Sequence, residues 1–159
     1  MGKVSKIHWN ERVGAAANAR RRLPLLLRNY FVRVRLLLAA DPPPAELHVI
    51  RLASKKLRYT LELFRPCYGP GLKTRLAELQ DLQEILGDVN DCCAAERVVA
   101  CLAPESPSRD RAEAFLRHRA SANAAKLRKQ WFDRFDAPGK EQWWLQYCAG
   151  RAKAPKSRL

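Results

Sequence analysis

Residues 46–64 read ELHVIRLASKKLRYTLELF, and the spacing of their side chains is helical. At about 100° per residue, one row of polar side chains falls within a sector of about 80°. The row consists of His48, Arg51, Lys55, Arg58 and Glu62. A helix that lies fully on a surface shows a broad polar face, whereas this row is narrow and has apolar residues on both sides. The pattern therefore predicts a helix whose basic side chains line a groove.

Two apolar strips flank the row. The first has the period of a face packed against a core and consists of Leu47, Ile50, Ser54, Leu57, Leu61 and Phe64. The second lies on the other side and consists of Leu52, Tyr59 and Leu63. Side chains at i, i+3, i+7 and i+10 climb the helix in steps of about 5 Å, so a polymer of closely spaced charges can follow them. The fork-shaped donors of arginine and the point charge of lysine both suit phosphate oxygens. Glu62 is expected to form an i, i+4 ion pair with Arg58, one turn earlier on the helix.

Charge is unevenly distributed along the chain. The 159 residues carry a formal net charge of +14, which attracts phosphate-rich polymers, anionic membrane surfaces or acidic proteins without separating them. Residues 1–40 hold nine basic residues and one acidic residue, whereas residues 76–105 hold one basic and seven acidic residues. The third predicted helix, residues 72–102, is therefore expected to be a counter-charged scaffold between basic helices.

Cysteine usage favours a reducing compartment, and the spacing of the histidines gives no indication of a metal site. The five cysteines include no C-x-x-C pair, and the N-terminus MGKVSKIHWNERVG lacks the apolar core of a secretory signal. We expect free thiols in the cytoplasm. The three histidines have no ligand spacing, so no metal and no cofactor are expected. No uncharged apolar run reaches membrane-spanning length, and membrane insertion is not expected.

Helical periodicity and turn signals divide the chain into five segments. The predicted helices are 9–40 with Pro24 as a kink or restart, 45–65, 72–102, about 108–135, and 140–149. Asp41 and Ser108 are the predicted N-caps, and Gly87 marks a bend or a close helix contact. No run alternates as a strand does, so we predict an all-α fold, an antiparallel four-helix bundle with a short C-terminal extra helix. Residues 1–159 would form one domain with a core at about 9–136 and a basic tail at 150–159.

Two blocks of this sequence resemble the CHAD family, the conserved histidine α-helical domain. The first is similar to its signature helix and reads His48-x-x-Arg51-x-x-x-Lys55-Lys56-x-Arg58-Tyr59-x-x-Glu62-x-Phe64. The second is similar to the helix that follows and reads Leu79-Gln80-x-Leu82-Gln83-x-x-Leu86-Gly87-Asp88-x-Asn90-Asp91. The resemblance implies a helical bundle with basic residues around a cavity, binding of inorganic polyphosphate and no catalytic activity. Carried over by position, the binding residues are His48, Arg51, Lys55 and Arg58, followed by Lys56 and Tyr59.

The sequence departs from the family in one respect. Members commonly carry two such four-helix repeats, and only one signature occurs here, because Ser121 stands where the arginine after His118 would be. Two copies of the chain can complete the basic surface, so a homodimer is a hypothesis.

Other basic rows extend the candidate site. On helix one, Arg21, Arg28 and Arg35 recur every seven residues and can form a second wall or a solvated seam. Arg119 and Lys126 on helix four repeat that spacing.

Three functions remain open. The first is non-catalytic binding of inorganic polyphosphate by helices one and two, with cytoplasmic or polyphosphate-granule localisation. The second is a general nucleic-acid (RNA)-binding module, although the aromatic residues are not interleaved with basic ones as stacking platforms require. The third is a Mg²⁺-dependent phosphohydrolase that uses Asp81, Asp88 and Asp91, for which caps and ion pairs are the simpler interpretation.

Overall fold

The computed structural model describes residues 9–150, and the predicted basic tail falls outside them apart from Gly150. The described residues form five α-helices and no strand, which confirms the all-α class. The helices are α1 Ala15–Ala39, α2 His48–Leu63, α3 Gly71–Leu102, α4 Pro107–Gln130 and α5 Lys140–Gly150. α1 runs through Pro24 as one helix, so the predicted restart there is wrong.

The first helix begins at Ala15 and not at Trp9, because a side chain from within α1 holds the preceding turn. The buried Asn18 side chain donates to the carbonyls of Asn10 and Val13, at 2.9 and 3.2 Å, and accepts from the Asn10 amide at 2.9 Å. These bonds give residues 10–13 the backbone partners that a continued helix would have supplied. Trp9 instead stacks on Phe64, with ring centroids 5.1 Å apart.

The predicted cap at Asp41 is wrong. Asp41 has φ 47°, the left-handed conformation that ends a helix, and its carboxylate pairs with Arg128 at 2.5 Å. Asp41 therefore terminates α1 and ties it to α4. The second predicted helix is also shorter than expected, since its ends are wound as 3₁₀ turns at Pro44–Leu47 and Arg65–Cys67.

The fourth helix is capped by Ser106 and not by Ser108. The Ser106 hydroxyl accepts from the Arg109 amide at 3.2 Å, and Pro107 occupies the first helical position, where its missing N–H costs nothing. Beyond Gln130 the chain widens into a π-turn, Trp131–Phe135, in which the Asp136 amide donates to the Trp131 carbonyl at 2.7 Å. The Trp131 and Phe135 rings stack with centroids 5.0 Å apart and point into the core, whereas the Phe132 ring is 46% exposed.

The C-terminal helix is part of the core. α1 packs more extensively against α5 than against α2, and Trp144 and Cys148 are fully buried. At the start of α3, a Cβ on Gly71 would lie 2.9 Å from the Tyr147 ring, so α5 also packs closely there. The predicted bundle of four helices with an accessory fifth is therefore not confirmed. Gly87 has no atom within 4 Å of an added Cβ, so the predicted close helix contact is absent there.

Ion pairs join the acidic α3 to its basic neighbours. Glu78 accepts from Lys140 of α5 at 2.6 Å, and Glu96 accepts from Arg117 of α4 at 3.0 Å. These contacts fit the predicted role of helix three as a counter-charged scaffold. The predicted ion pairs of Asp81, Asp88 and Asp91 do not occur within residues 9–150.

Candidate functional site

A buried hydrogen bond between α1 and α2 sets the rotation of α2. The first apolar strip of α2 is buried as predicted, with Ile50 2% and Leu61 0% exposed. Ser54, in the middle of that strip, donates to the Ile50 carbonyl at 2.8 Å. Its single hydroxyl proton is thereby used, so Tyr30 of α1 donates to the Ser54 oxygen across 2.7 Å. With this face fixed against the core, the basic row is directed toward α3.

Three basic side chains of α2 share a cavity of about 260 Å³ with polar side chains of α3. The α2 side contributes Arg51, Lys55 and Arg58, all half-buried. The α3 side contributes Gln80, Gln83 and Glu84. We call these six residues the cationic cleft. The short connection between the helices makes them run antiparallel, so the basic row lies along the glutamine-bearing part of α3.

Most of the donors in the cationic cleft have no anionic partner. Neither Arg51 nor Lys55 makes an ion pair among residues 9–150. Arg58 makes the predicted bond to Glu62, at 2.8 Å, and its guanidinium lies 4.8 Å from the Tyr59 ring centroid. Within the described chain, Arg58 Nε and Gln83 Nε2 are buried and lack a hydrogen-bond partner. Because these two nitrogens are enclosed, Arg51 and Lys55 supply the donors of the cleft that remain available to an anion.

His48 lies one turn before Arg51, in a neighbouring cavity of about 240 Å³. We call this cavity the His48 pocket; its lining is Pro44, Ala45, His48, Asn90, Cys93 and Arg97. His48 Nδ1 lies 3.1 Å from Asn90 Oδ1, and the Asn90 amide nitrogen donates to Asp91 at 3.4 Å. With the Asn90 oxygen facing the ring, Nδ1 is the donor, and Nε2 is left for another partner.

The remaining candidates on α2 face away from the cationic cleft. Lys56 and Tyr59 are exposed, and Tyr59 is reached from the cleft only through its contact with Arg58. The second apolar strip is open as well, since Leu52 is 52%, Tyr59 53% and Leu63 72% exposed.

The candidates on α1 and α4 lie apart from the cationic cleft. Arg28 and Arg35 line a different cavity, of about 380 Å³, together with residues 136–139, 141, 142 and 145. Arg35 bonds Asp136 and Glu141 at 2.5 and 2.6 Å, and the hydrogen bond with Asp136 raises the pKa of its guanidinium. Arg35 therefore joins α1 to α5, and the second wall expected from helix one is not part of the cleft. Arg21, Arg119 and Lys126 are exposed and do not line the cleft.

Residues 9–150 contain no group of three or more His, Cys, Asp or Glu side chains placed to hold a metal ion. All five cysteines are free thiols. Across the same residues, no helix has the length and apolar character needed to cross a membrane.

The model of the CHAD domain matches residues 6–100, which is more than half of the chain. The chain belongs to the CHAD domain family. The resemblance read from residues 46–91 is thereby confirmed. The matched segment contains α1, α2 and α3 as far as residue 100, with both the cationic cleft and the His48 pocket. α4 and α5 lie beyond the CHAD match, although they complete its core. No curated protein and no solved structure matches the chain.

Sequence reasoning gave no role to four polar residues of α3. Gln80 and Gln83 line the cationic cleft, and Asn90 and Arg97 line the His48 pocket. A signal for the glutamines was available, since they stand three residues apart on one helix face of the CHAD motif. Arg97 also stands out, because it is the single basic residue between 76 and 105.

Proposed function

We propose that this CHAD protein binds inorganic polyphosphate in the cationic cleft and acts as a binding module, not as an enzyme. The observation that carries the proposal is the contrast between two classes of cation. Cations of the first class form ion pairs that join different segments of the fold: Arg35, Arg117, Arg128 and Lys140. Arg51 and Lys55 have no such partner in the described part of the chain, yet both are half-buried beside α3. Partly desolvated cations without counter-ions favour an external anion.

The shape of the row favours a linear polymer over a single anion. From His48 to Arg58 the helix rises about 15 Å, with a basic group at nearly every turn. Arginine presents fork-shaped donors to phosphate oxygens, and the exposed amide of Gln80 supplies an uncharged donor from the opposite side. Glu62 holds Arg58 by an i, i+4 pair and limits its rotamers. The CHAD domain is associated with polyphosphate-related proteins, which supports the same ligand.

A competition experiment separates polyphosphate from nucleic acid. Labelled long-chain polyphosphate is bound to the protein at physiological salt and displaced with unlabelled polyphosphate, RNA or duplex DNA at equal phosphate concentration. We expect polyphosphate to displace the label at a lower concentration than either nucleic acid. Stronger displacement by RNA would favour the nucleic-acid-binding alternative.

The cleft is tested with two variants of equal charge loss. The first is Arg51→Ala/Lys55→Ala/Arg58→Ala, and we expect it to lose binding with its helicity intact. The control is Arg33→Ala/Lys73→Ala/Arg111→Ala, which removes three exposed cations from α1, α3 and α4. Normal polyphosphate affinity in the cleft variant, or an equal loss of affinity in the cleft variant and the control, would contradict the assignment of the cationic cleft as the binding site. For the phosphohydrolase alternative, release of orthophosphate by pure protein with Mg²⁺ and its loss in Asp88→Asn/Asp91→Asn would contradict a purely binding role.

Localisation follows from the ligand. We propose a cytoplasmic protein that associates with polyphosphate granules. A fluorescent fusion should co-localise with stained granules, and the cleft variant should lose that pattern.

A further inference from the structure

One basic residue interrupts the acidic stretch of α3 that follows Arg75, and it lies at the end of the basic row of α2. Arg97 is the single basic residue between positions 76 and 105, where seven acidic residues occur. Its side chain lines the His48 pocket, one helix turn beyond Cys93. Arg97 is exposed and has no ion pair with any residue from 9 to 150. The one positive charge in the acidic stretch 76–105 thus lies where the basic row of α2 meets α3.

The His48 pocket has the features of an end to the row. Pro44 and Ala45, from the 3₁₀ turn before α2, line it and add no charged side chain. Asn90 holds His48 Nδ1 at 3.1 Å, so the ring is oriented with Nε2 available. Burial raises the pKa of the Cys93 thiol, so at neutral pH it is an uncharged neighbour that does not repel an anion.

From this geometry we infer that the His48 pocket is the subsite for the terminal phosphate of a polyphosphate chain whose internal phosphates occupy the cationic cleft. The inference rests on the proposed function and adds Arg97 as a binding residue with a distinct role. A terminal phosphate carries more charge than an internal one and has three oxygens free to accept hydrogen bonds. The Arg97 guanidinium can bind two of them, and protonated His48 can donate from Nε2 to the third. Arg51, one turn away on α2, takes the next part of the chain.

The test uses a pair of probes that differ in chain ends. Linear tripolyphosphate has two terminal phosphates, whereas cyclic trimetaphosphate has the same number of phosphorus atoms and none. Affinity for each, and for long-chain polyphosphate, is measured by calorimetric titration at fixed salt. The variant is Arg97→Ala, and the control is Lys73→Ala, which removes an exposed cation from the same helix about 36 Å away.

We expect the unmodified protein to prefer the linear probe and Arg97→Ala to lose that preference. Long-chain affinity should fall about tenfold in Arg97→Ala, as for the loss of one charge-assisted contact, and much less in Lys73→Ala. The double variant His48→Ala/Arg97→Ala should lose less than the sum of the single losses, because both residues bind one group. Equal affinities of Arg97→Ala and Lys73→Ala for each of the three probes would overturn the assignment of the His48 pocket as the terminal-phosphate subsite.

The cleft variant distinguishes the two proposals. If Arg51→Ala/Lys55→Ala/Arg58→Ala binds normally, the cleft is not the binding site and the proposed function fails at that point. If it loses binding while Arg97→Ala matches Lys73→Ala, polyphosphate binding stands and the terminal subsite fails. Circular dichroism of each variant checks that the helices are retained.

Discussion

The hydrogen bond between Tyr30 and Ser54 gives a quantitative test of how α2 is held. Tyr30→Phe keeps the ring packed against Trp131 and Phe135 and leaves the Ser54 hydroxyl bonded to Ile50. It should lower the free energy of unfolding by about 1 kcal/mol, the typical net value of one hydrogen bond. Ser54→Ala leaves the buried Tyr30 hydroxyl without its acceptor and should cost more, about 1–3 kcal/mol. The double variant should cost less than the two losses together.

Urea unfolding followed by circular dichroism measures these values, with an unchanged m-value as the sign of two-state behaviour. For a chain of this size, 1 kcal/mol corresponds to about 2–4 °C in Tm. Polyphosphate affinity should stay unchanged in Tyr30→Phe, because the basic side chains point to the other face of α2. A larger loss for Tyr30→Phe than for Ser54→Ala would refute the assigned direction of the bond, and additive losses in the double variant would show that the two hydroxyls are not coupled.

Three further predictions concern the core, alkaline pH and self-association. Trp144→Ala should lower the free energy of unfolding, measured in urea, by about 3–5 kcal/mol, because this side chain is fully buried. As a control, Phe132→Ala removes a half-exposed ring and should change the free energy of unfolding by about 0.5 kcal/mol. An equally small loss in both variants would make α5 an accessory helix. Burial raises the pKa of the Cys148 thiol from its ordinary value of 9.0 to about 12, so the unfolded chain loses the thiol proton at a lower pH than the folded chain does. The free energy of unfolding should therefore fall between about pH 9 and pH 12, by up to about 1.4 kcal/mol per pH unit. Cys148→Ala should flatten the pH dependence of urea unfolding over that range, and an unchanged slope would contradict the assignment. The homodimer hypothesis predicts that two copies pair through the exposed strip of Leu52, Tyr59 and Leu63. Light scattering should then show a dimer, and Leu52→Glu/Leu63→Glu should convert it to monomer. Monomer alone for the unmodified protein at high concentration would end the hypothesis.

The α2 face was predictable because its pattern is local. The helical period places Ile50, Leu57 and Leu61 on one side, and all three are buried. The Arg58–Glu62 pair was equally predictable, since i, i+4 neighbours meet on any helix. Ser106 was within reach too, because the proline after it marks the first helical position of α4.

What the sequence left undetermined depends on long-range contacts. The start of α1 is set by Asn18 acting on a turn eight residues earlier, and the ion pair of Arg35 joins residues 101 positions apart. A seven-residue spacing of arginines is compatible with either a binding wall or a helix contact, and only the position of α5 decides between them. Arg97 likewise gains its place beside His48 from the antiparallel course of α2 and α3.

The most direct test of the central claim is a salt-resolved titration of the protein with long-chain polyphosphate. Each cation that contacts phosphate contributes about one unit to the slope of log affinity against log salt, by analogy with nucleic acids. At low salt, where residual binding is measurable, Arg51→Ala/Lys55→Ala/Arg58→Ala should reduce the slope by about three units relative to the unmodified protein. The Arg33→Ala/Lys73→Ala/Arg111→Ala control should leave the slope nearly unchanged. Equal slopes in the cleft variant and the unmodified protein would show that the phosphate chain binds elsewhere.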